Sequence, residues 1–187
     1  MFSDIRGFTA LVESQPPEET IELLNTYYTL MFDAINGHGG VVNQMVGDGL
    51  MAIFGAPLPL PDHGAAAVRA ALDMVEMIDL LNVERTAAGK PAIRIGVGIA
   101  TGDMVAGYTG TQRRATYTCI GDTVNLAARL EEHTKLAKRT ILLDPATCMA
   151  LGGRIPVESL GAASMRGKAT AVEVYAVTEA ELPKPTG

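Results

Sequence analysis

Two short apolar runs around a glycine–aspartate–glycine turn constrain the fold of this chain more than any other local feature. The runs are VVNQMV (41–46) and LMAIF (50–54), and the turn is Gly47-Asp48-Gly49. An Asp-Gly pair between apolar runs is the strongest short-range signal for a β-hairpin, because these residues tolerate the backbone angles of tight turns. The sequence therefore predicts a hairpin here, with Asp48 at its tip.

Helical periodicity is present on both sides of this hairpin. Before it, apolar residues recur at gaps of three and four along a predicted helix over 20–36, on a face formed by Ile21, Leu24, Tyr28, Met31 and Ile35. Pro17 precedes this helix, and Gly37 ends it. After the hairpin, a second helix is predicted over 62–88, with an inward face of Val68, Leu72, Val75 and Ile78.

The rest of the chain alternates between strand and helix signals. Strands are predicted at 93–102, 117–120, 139–144 and 172–177. Helices are predicted at 145–151 and from Asp122, as the N-terminal cap, to about His133. This pattern predicts an α+β fold, with helices on one face of a mostly antiparallel sheet. The first strand has to end near Ser3, so we expect it to be truncated and the natural start to lie upstream.

Composition excludes several classes of protein. The chain has 187 residues, 48% of them apolar, and a net charge of −6, which supports one globular domain and argues against a nucleic-acid binder. No apolar run approaches the roughly 20 residues of a membrane span, and the N-terminus does not resemble a signal peptide. We expect a cytoplasmic protein in which Cys119 and Cys148 are free thiols.

Two carboxylates form the first candidate site. Asp4 lies where an initial strand ends, and Asp48 lies at the hairpin tip. If the two strands are neighbours, both side chains meet at one edge of the sheet. Mg²⁺ takes one or two protein carboxylates together with phosphate and water oxygens, so such a pair suits phosphoryl transfer. Taken singly, Asp48 is equally typical of a turn and Asp4 of a helix cap.

A second candidate site lies on the helix that follows Ile120. Asn125 and Arg129 are four residues apart, so they project from the same helical face. An amide beside a guanidinium suits a sugar oxygen and a phosphate oxygen. The alternative is a solvated face on which Arg129 pairs with Glu131 or Glu132. Further cations lie in two glycine-flanked stretches and could contact phosphates, namely Arg113, Arg114, Arg166 and Lys168.

Five stretches, in this order, resemble the catalytic domain of class III nucleotidyl cyclases. They are FSDIRGFTALVE (2–13), VGDGLMAIFGAP (46–57), RIGVGIATGDMVAGYTG (94–110), YTCIGDTVNLAARLE (117–131) and RGKATAVEVYAV (166–177). The resemblance covers almost the whole chain, so we expect a catalytic domain over 1–180 and a flexible tail over 181–187. It implies a ferredoxin-like βαββαβ sandwich with additional C-terminal strands and a helix.

The resemblance also implies a site shared between two copies of the chain. Asp4 and Asp48 match the aspartates that bind two Mg²⁺ or Mn²⁺ ions, with the backbone carbonyl of Ile5 as a further ligand. Asn125 and Arg129 match the pair contributed by the partner, which orients the ribose and stabilises the transition state at the α-phosphate. The implied product is the 3′,5′-cyclic nucleotide, formed by an in-line attack of the ribose 3′-hydroxyl.

Other matching positions are expected to contact the substrate. Those expected at phosphates are Gly7, Phe8, Thr9, Arg113, and Lys168 or Arg166. At the purine, adenylate-specific members usually carry lysine at position 44 and aspartate or threonine at 118, and guanylate-specific members carry Glu and Cys. This chain has Gln44 and Thr118, and Cys119 lies one place too late. A carboxamide can face either purine by flipping, so the residues predict relaxed purine choice with ATP preferred and GTP as the alternative.

Overall fold

The computed structural model describes residues 1–111, 114–166 and 170–178, and these residues form nine strands and five helices. The strands are β1 (Phe2–Ile5), β2 (Gly40–Val46), β3 (Gly49–Phe54), β4 (Ile95–Ile99), β5 (Val105–Thr111), β6 (Arg114–Ile120), β7 (Ile141–Leu143), β8 (Val157–Ala163) and β9 (Val172–Val177). The helices are α1 (Phe8–Ser14), α2 (Pro17–Gly37), α3 (His63–Ala87), α4 (Asp122–Ala137) and α5 (Pro145–Leu151).

Seven of these strands form one sheet in the order β2-β3-β1-β4-β7-β9-β8. All neighbouring pairs are antiparallel except β4 and β7, which are parallel. The order β2-β3-β1-β4, with helices between β1 and β2 and between β3 and β4, is that of a ferredoxin-like unit. Strands β7, β8 and β9 and helix α5 extend it, so the expected fold is confirmed. Strands β5 and β6 form a separate two-stranded sheet.

The helices lie on both faces of the large sheet, so the expectation of a single helical face was wrong. Along β4, Ile95, Val97 and Ile99 are buried in the core that contains α2 and α3. Gly96 and Gly98 point to the other face because side chains alternate along a strand. A Cβ atom at Gly98 would lie 2.1 Å from the backbone nitrogen of Glu131, in α4. Gly98 therefore lets α4 pack directly on the sheet backbone.

The buried face of α2 differs by about one residue from the predicted one. Tyr27 is fully buried, while Tyr28 is half-buried and Ile21 is 60% exposed. The buried positions of this helix are Thr20, Leu23, Tyr27, Met31, Ala34 and Ile35. Spacings of three and four residues fit both the predicted face, which contains Tyr28, and the observed face, which contains Tyr27; we call these the Tyr28 and Tyr27 stripes. Packing against α3 and the sheet selects the Tyr27 stripe.

Several boundaries differ from the prediction. Gly121 is the N-cap of α4, so Asp122 is the first helical residue rather than the cap, and the helix continues to Ala137. The predicted strand over 93–102 is shorter, and strands β5 and β8 were not predicted. Helix α5 and the two free thiols are as predicted. Among the described residues, no helix is long and apolar enough to span a bilayer.

Candidate active site

Strand pairing brings Asp4 and Asp48 to one edge of the sheet. Strands β1 and β3 are antiparallel neighbours, with Ser3 opposite Leu50, so the end of β1 lies beside the β2–β3 turn. The backbone N–H of Ile5 donates a hydrogen bond to Asp48 Oδ2 at 3.0 Å. The Tyr28 hydroxyl, from α2, donates to the carbonyl oxygen of Gly47. These two bonds fix the hairpin tip against β1 and α2.

Both aspartates line one cleft with a volume of about 270 Å³. Gln44, from β2, and Glu131, from α4, line the same cleft. Among the described residues, no group of three or more His, Cys, Asp or Glu side chains could hold a metal ion. The Asp4 and Asp48 pair is smaller than such a group, so a cation there would need further oxygens from water or a ligand.

The pKa values of Asp48 and Glu131 are both raised in this cleft. Burial raises the pKa of Asp48, and the charge of Asp4 adds to this effect, while backbone N–H groups at Ile5 and Asp48 oppose it. The pKa of Glu131 is raised to about 7, first by burial and then by the neighbouring Asp4 carboxylate. Ionisation of Asp48 and Glu131 is therefore unfavourable in this cleft, and a bound cation would offset that cost.

Two cationic side chains contact Asp4. Arg6 Nη1 lies 3.2 Å from Asp4 Oδ1 and 3.1 Å from Glu131 Oε1. Lys135 Nζ lies 2.8 Å from Asp4 Oδ2. Because Glu131 and Lys135 are both in α4, these contacts tie the end of β1 to that helix.

Asn125 and Arg129 lie on α4, and neither lines the aspartate cleft. Asn125 is exposed, and Arg129 lines a different cavity of about 350 Å³ together with Arg166. Glu131 pairs with Arg6, and no ion pair joins Arg129 to Glu131 or Glu132 in the part of the chain that the structure describes. Arg129 Nη1 is buried and has no hydrogen-bond partner among the described residues. A ligand would reach this donor only after the side chain moves, because the nitrogen itself is buried.

The expected purine residues lie on two strands that touch. A register shift in β2 leaves Asn43 between Val42 and Gln44 without a ladder partner. Its amide nitrogen donates to the Tyr117 carbonyl oxygen, in β6, at 2.8 Å. Gln44 and Thr118 are the chain neighbours of these two residues, so this contact brings β2 and β6 together beside them.

The match to a family model decides which family this geometry belongs to. Residues 1–179 match the model described as the adenylate and guanylate cyclase catalytic domain. This chain belongs to the class III nucleotidyl cyclase domain family. The match contains both aspartates and all of α4.

Relatives of the cyclase domain include both adenylate and guanylate cyclases. Adenylate cyclase 1 of Rhizobium meliloti (strain 1021) is 35% identical over 177 residues, which is 95% of this chain and 27% of that protein. The adenylyl cyclase CyaB from P. aeruginosa has a TM-score of 0.88 and 34% identity, covering 95% of this chain and 91% of that structure. The guanylyl cyclase Cya2 has a TM-score of 0.85 and 31% identity, covering 100% of this chain and 92% of that structure. The chain thus spans about a quarter of the Rhizobium relative.

Other expected substrate residues of the cyclase domain fall at a helix start or outside the described part. Gly7 has a φ of 67° and is the N-cap of α1, and Phe8 and Thr9 begin that helix. Arg113 and Lys168 lie outside the described residues. The roles of these residues, and of the Ile5 carbonyl, stay predictions.

Sequence reasoning missed the cations and the acid around Asp4. Glu131 and Lys135 are four residues apart on α4, a spacing typical of a solvent-exposed helical pair. In the cyclase domain, both side chains turn to β1 instead. The one feature of the sequence that could have indicated the position of Arg6 is the glycine at position 96. A Cβ atom there would lie 1.3 Å from Arg6 Nη2, so this glycine makes room for the guanidinium.

The donor set of the cleft fits a hard divalent cation. Asp4 and Asp48 supply carboxylate oxygens to the same cleft, and the hydrogen bond from Ile5 N–H to Asp48 Oδ2 holds the two residues near each other. Mg²⁺ and Mn²⁺ favour such oxygen ligands, usually with one or two protein carboxylates. The residues present therefore fit the cations that the family resemblance implies.

Proposed function

We propose that two copies of this chain form a homodimer that converts ATP to 3′,5′-cyclic AMP and pyrophosphate. The observation that carries the proposal is the convergence of Asp4 and Asp48 in one cleft of a class III cyclase domain. In the reaction, the ribose 3′-oxygen forms a bond to the α-phosphorus, the bond from that phosphorus to the oxygen of the leaving pyrophosphate breaks, and the hydroxyl proton passes to solvent water.

The carboxylate half of the site comes from one copy. Asp4 and Asp48 would hold two Mg²⁺ or Mn²⁺ ions, with the carbonyl of Ile5 as a further ligand. When bound, these ions lower the pKa of the 3′-hydroxyl and neutralise charge on the triphosphate. The backbone from Gly7 to Thr9 adjoins Asp4 in sequence and is proposed to contact the phosphates.

The other half of the site is proposed to come from the second copy. Asn125 orients the ribose, and Arg129 stabilises the charge that develops at the α-phosphate. The free Nη1 donor of Arg129 supports this role, and its separate cavity supports a site that one chain does not complete. Arg113, Arg166 and Lys168 are proposed to bind the remaining phosphates. A two-fold dimer then contains two equivalent sites.

The purine is proposed to be adenine, held by Gln44 and Thr118. Thr118 matches the adenylate-specific pattern, and CyaB, which is 34% identical, is an adenylyl cyclase. The second candidate is a guanylate cyclase activity, favoured by the Gln44 amide and by the 31% identity to Cya2. Because an amide offers both a donor and an acceptor, the proposal is a preference for ATP and not strict selectivity.

Product identification tests the proposal. The purified chain is incubated with Mn²⁺ and either ATP or GTP over a range of protein concentrations, and the cyclic nucleotide is quantified. We expect more cyclic AMP than cyclic GMP and a specific activity that rises with protein concentration. The Asp48→Asn variant is the matched control, because it keeps the size of the side chain and removes its charge. Absence of both cyclic products at high concentration would refute an active cyclase and leave a nucleotide-binding or dimerisation module.

A further inference from the structure

Helix α4 supplies an ammonium group to the carboxylate that is proposed to bind the cation. Lys135 Nζ donates to Asp4 Oδ2 at 2.8 Å, while Arg6 Nη1 donates to Oδ1 at 3.2 Å. Each oxygen of Asp4 therefore contacts one cationic side chain. Only 22% of the Asp4 side chain is exposed, so these two groups occupy much of the space around the carboxylate.

Of the two cations, Arg6 is fixed in place. Its guanidinium lies against β4, in the space that a side chain at Gly96 would fill. Its Nη1 also contacts Glu131 Oε1 at 3.1 Å, and its backbone N–H donates to the Arg94 carbonyl at 2.7 Å. Arg6 therefore orients Asp4 Oδ1 from a rigid position.

Lys135 is held much less firmly. Its side chain is 48% exposed, and Asp4 is its one ion-pair partner in the described part of the chain. A lysine ammonium sits on a flexible four-carbon stem, and an exposed ion pair contributes only about 1 kcal/mol or less. Of the two cations on Asp4, Lys135 is therefore the one that can leave.

A divalent cation at Asp4 has to share the carboxylate with cationic side chains, because Arg6 contacts Oδ1 and Lys135 contacts Oδ2. An ammonium at 2.8 Å from Oδ2 blocks that lone pair and repels a second positive charge. We propose that Lys135 is a tethered competitor of the divalent cation at Asp4, so that the cation binds only as Lys135 leaves. This inference depends on the proposed function, because it takes Asp4 as a cation ligand.

The competition lowers the cation affinity of the free chain. Because Lys135 belongs to α4, that affinity depends on where the helix holds the ammonium. A ligand that moves α4 then changes cation binding, and by thermodynamic linkage the cation changes the affinity for that ligand.

The test measures Mn²⁺ binding to the whole chain without nucleotide, from the electron paramagnetic resonance signal of free Mn²⁺. Lys135→Met keeps the length of the side chain and removes the ammonium, so we expect Mn²⁺ to bind about fivefold more tightly. Lys138→Met is the matched control: it removes the same charge three residues further on, where the described residues show no ion pair, and should change the affinity by less than about twofold. Lys135→Arg retains a cation and should bind Mn²⁺ like the unmodified chain.

Each outcome bears on the competition. Unchanged affinity in Lys135→Met, or an equal gain in Lys138→Met, would overturn it, since the second result reflects a general loss of charge. Absence of Mn²⁺ binding to the unmodified chain would overturn it as well. Mn²⁺ binding with the expected order of affinities, but without cyclic nucleotide formation in the separate assay, would refute the proposed function and leave the competition supported.

Discussion

The backbone N–H of Ile5 donates to the Asp48 carboxylate at 3.0 Å, across 43 positions of the chain. Ile5 follows Asp4 directly, so this single hydrogen bond sets how the two aspartates lie relative to each other. The bond uses Oδ2 of Asp48, and the same carboxylate lines the cleft that contains Asp4.

Two inactive variants should restore activity when they are mixed. Asp4→Ala removes the carboxylate half of the proposed site, and Arg129→Ala removes the α4 half, so each homodimer should lose at least about 100-fold in kcat. An equal mixture should recover about a quarter of the unmodified activity, because half of the randomly formed dimers are mixed and each contains one complete site. Cyclic nucleotide formation measures the effect. A mixture as inactive as its components would argue against a shared site.

Lysine at position 44 should shift purine choice towards ATP. Gln44→Lys replaces an amide that can present a donor or an acceptor with a group that only donates. We expect the ratio of kcat/KM for ATP to that for GTP to rise about tenfold, the equivalent of one hydrogen bond to a charged group. Gln44→Met, which cannot hydrogen-bond to either purine, is the control and should lower both values. An unchanged ratio in the lysine variant would place the purine elsewhere.

The stability of the cation-free protein should decrease with pH through the Glu131 carboxyl. The folded state raises the pKa of Glu131 from 4.5 to about 7, so it retains a proton that the unfolded chain releases in this interval. Protons bound more strongly by the folded state stabilise it at low pH, and this stabilisation is lost as pH rises towards 7. Urea unfolding at pH 5 and pH 8 should show a larger decrease for the unmodified chain than for Glu131→Gln. Glu132→Gln, at an exposed neighbour, should behave like the unmodified chain, and parallel pH profiles for all three would contradict the assignment.

A methyl group on β4 should disrupt the packing of α4. In Gly98→Ala the new Cβ would lie 2.1 Å from the Glu131 nitrogen and 2.3 Å from the Ala127 oxygen, both of them helix backbone. We expect the free energy of unfolding to fall by about 3 kcal/mol, measured by denaturant titration. Gly107→Ala is the control within a strand, because a Cβ atom there meets nothing within 4 Å and should change stability by less than about 0.5 kcal/mol. Equal effects of the two substitutions would mean that the change in free energy of unfolding comes from strand propensity and not from the contact with α4.

The sequence predicted those parts of the fold that depend on local signals. The Gly47-Asp48 turn required only local backbone freedom, and helix α5 has Asp144 as its cap and Pro145 as its first residue, so both were predictable. The choice between the Tyr27 and Tyr28 stripes of α2 was not, because both satisfy helical spacing and only tertiary packing separates them. Strand β5 was missed because most of its residues are exposed, which leaves no apolar run to detect.

The candidate site was predictable in its acids and not in its counter-ions. Asp4 and Asp48 stand at strand ends, where alternation and turn chemistry point to one edge of the sheet. Arg6 and Lys135 contact Asp4 from two different elements, and no spacing rule connects residues 4 and 135. The Lys135 contact follows from how closely α4 approaches β4 at Gly98, and the Arg6 contact from the space that Gly96 leaves for the guanidinium.

A helix that rests on bare strand backbone has no layer of side chains that could absorb a shift. At Gly98 the strand backbone lies against the helix backbone, so no side chain can change its rotamer to accommodate a movement of β4. A shift of about an ångström in β4 therefore displaces α4 by a similar amount. The strand and the helix thus move as one stiff unit, and Asn125 and Arg129 lie along the helical arm of that unit. The absent methyl group at Gly98 removes mechanical play between β4 and α4.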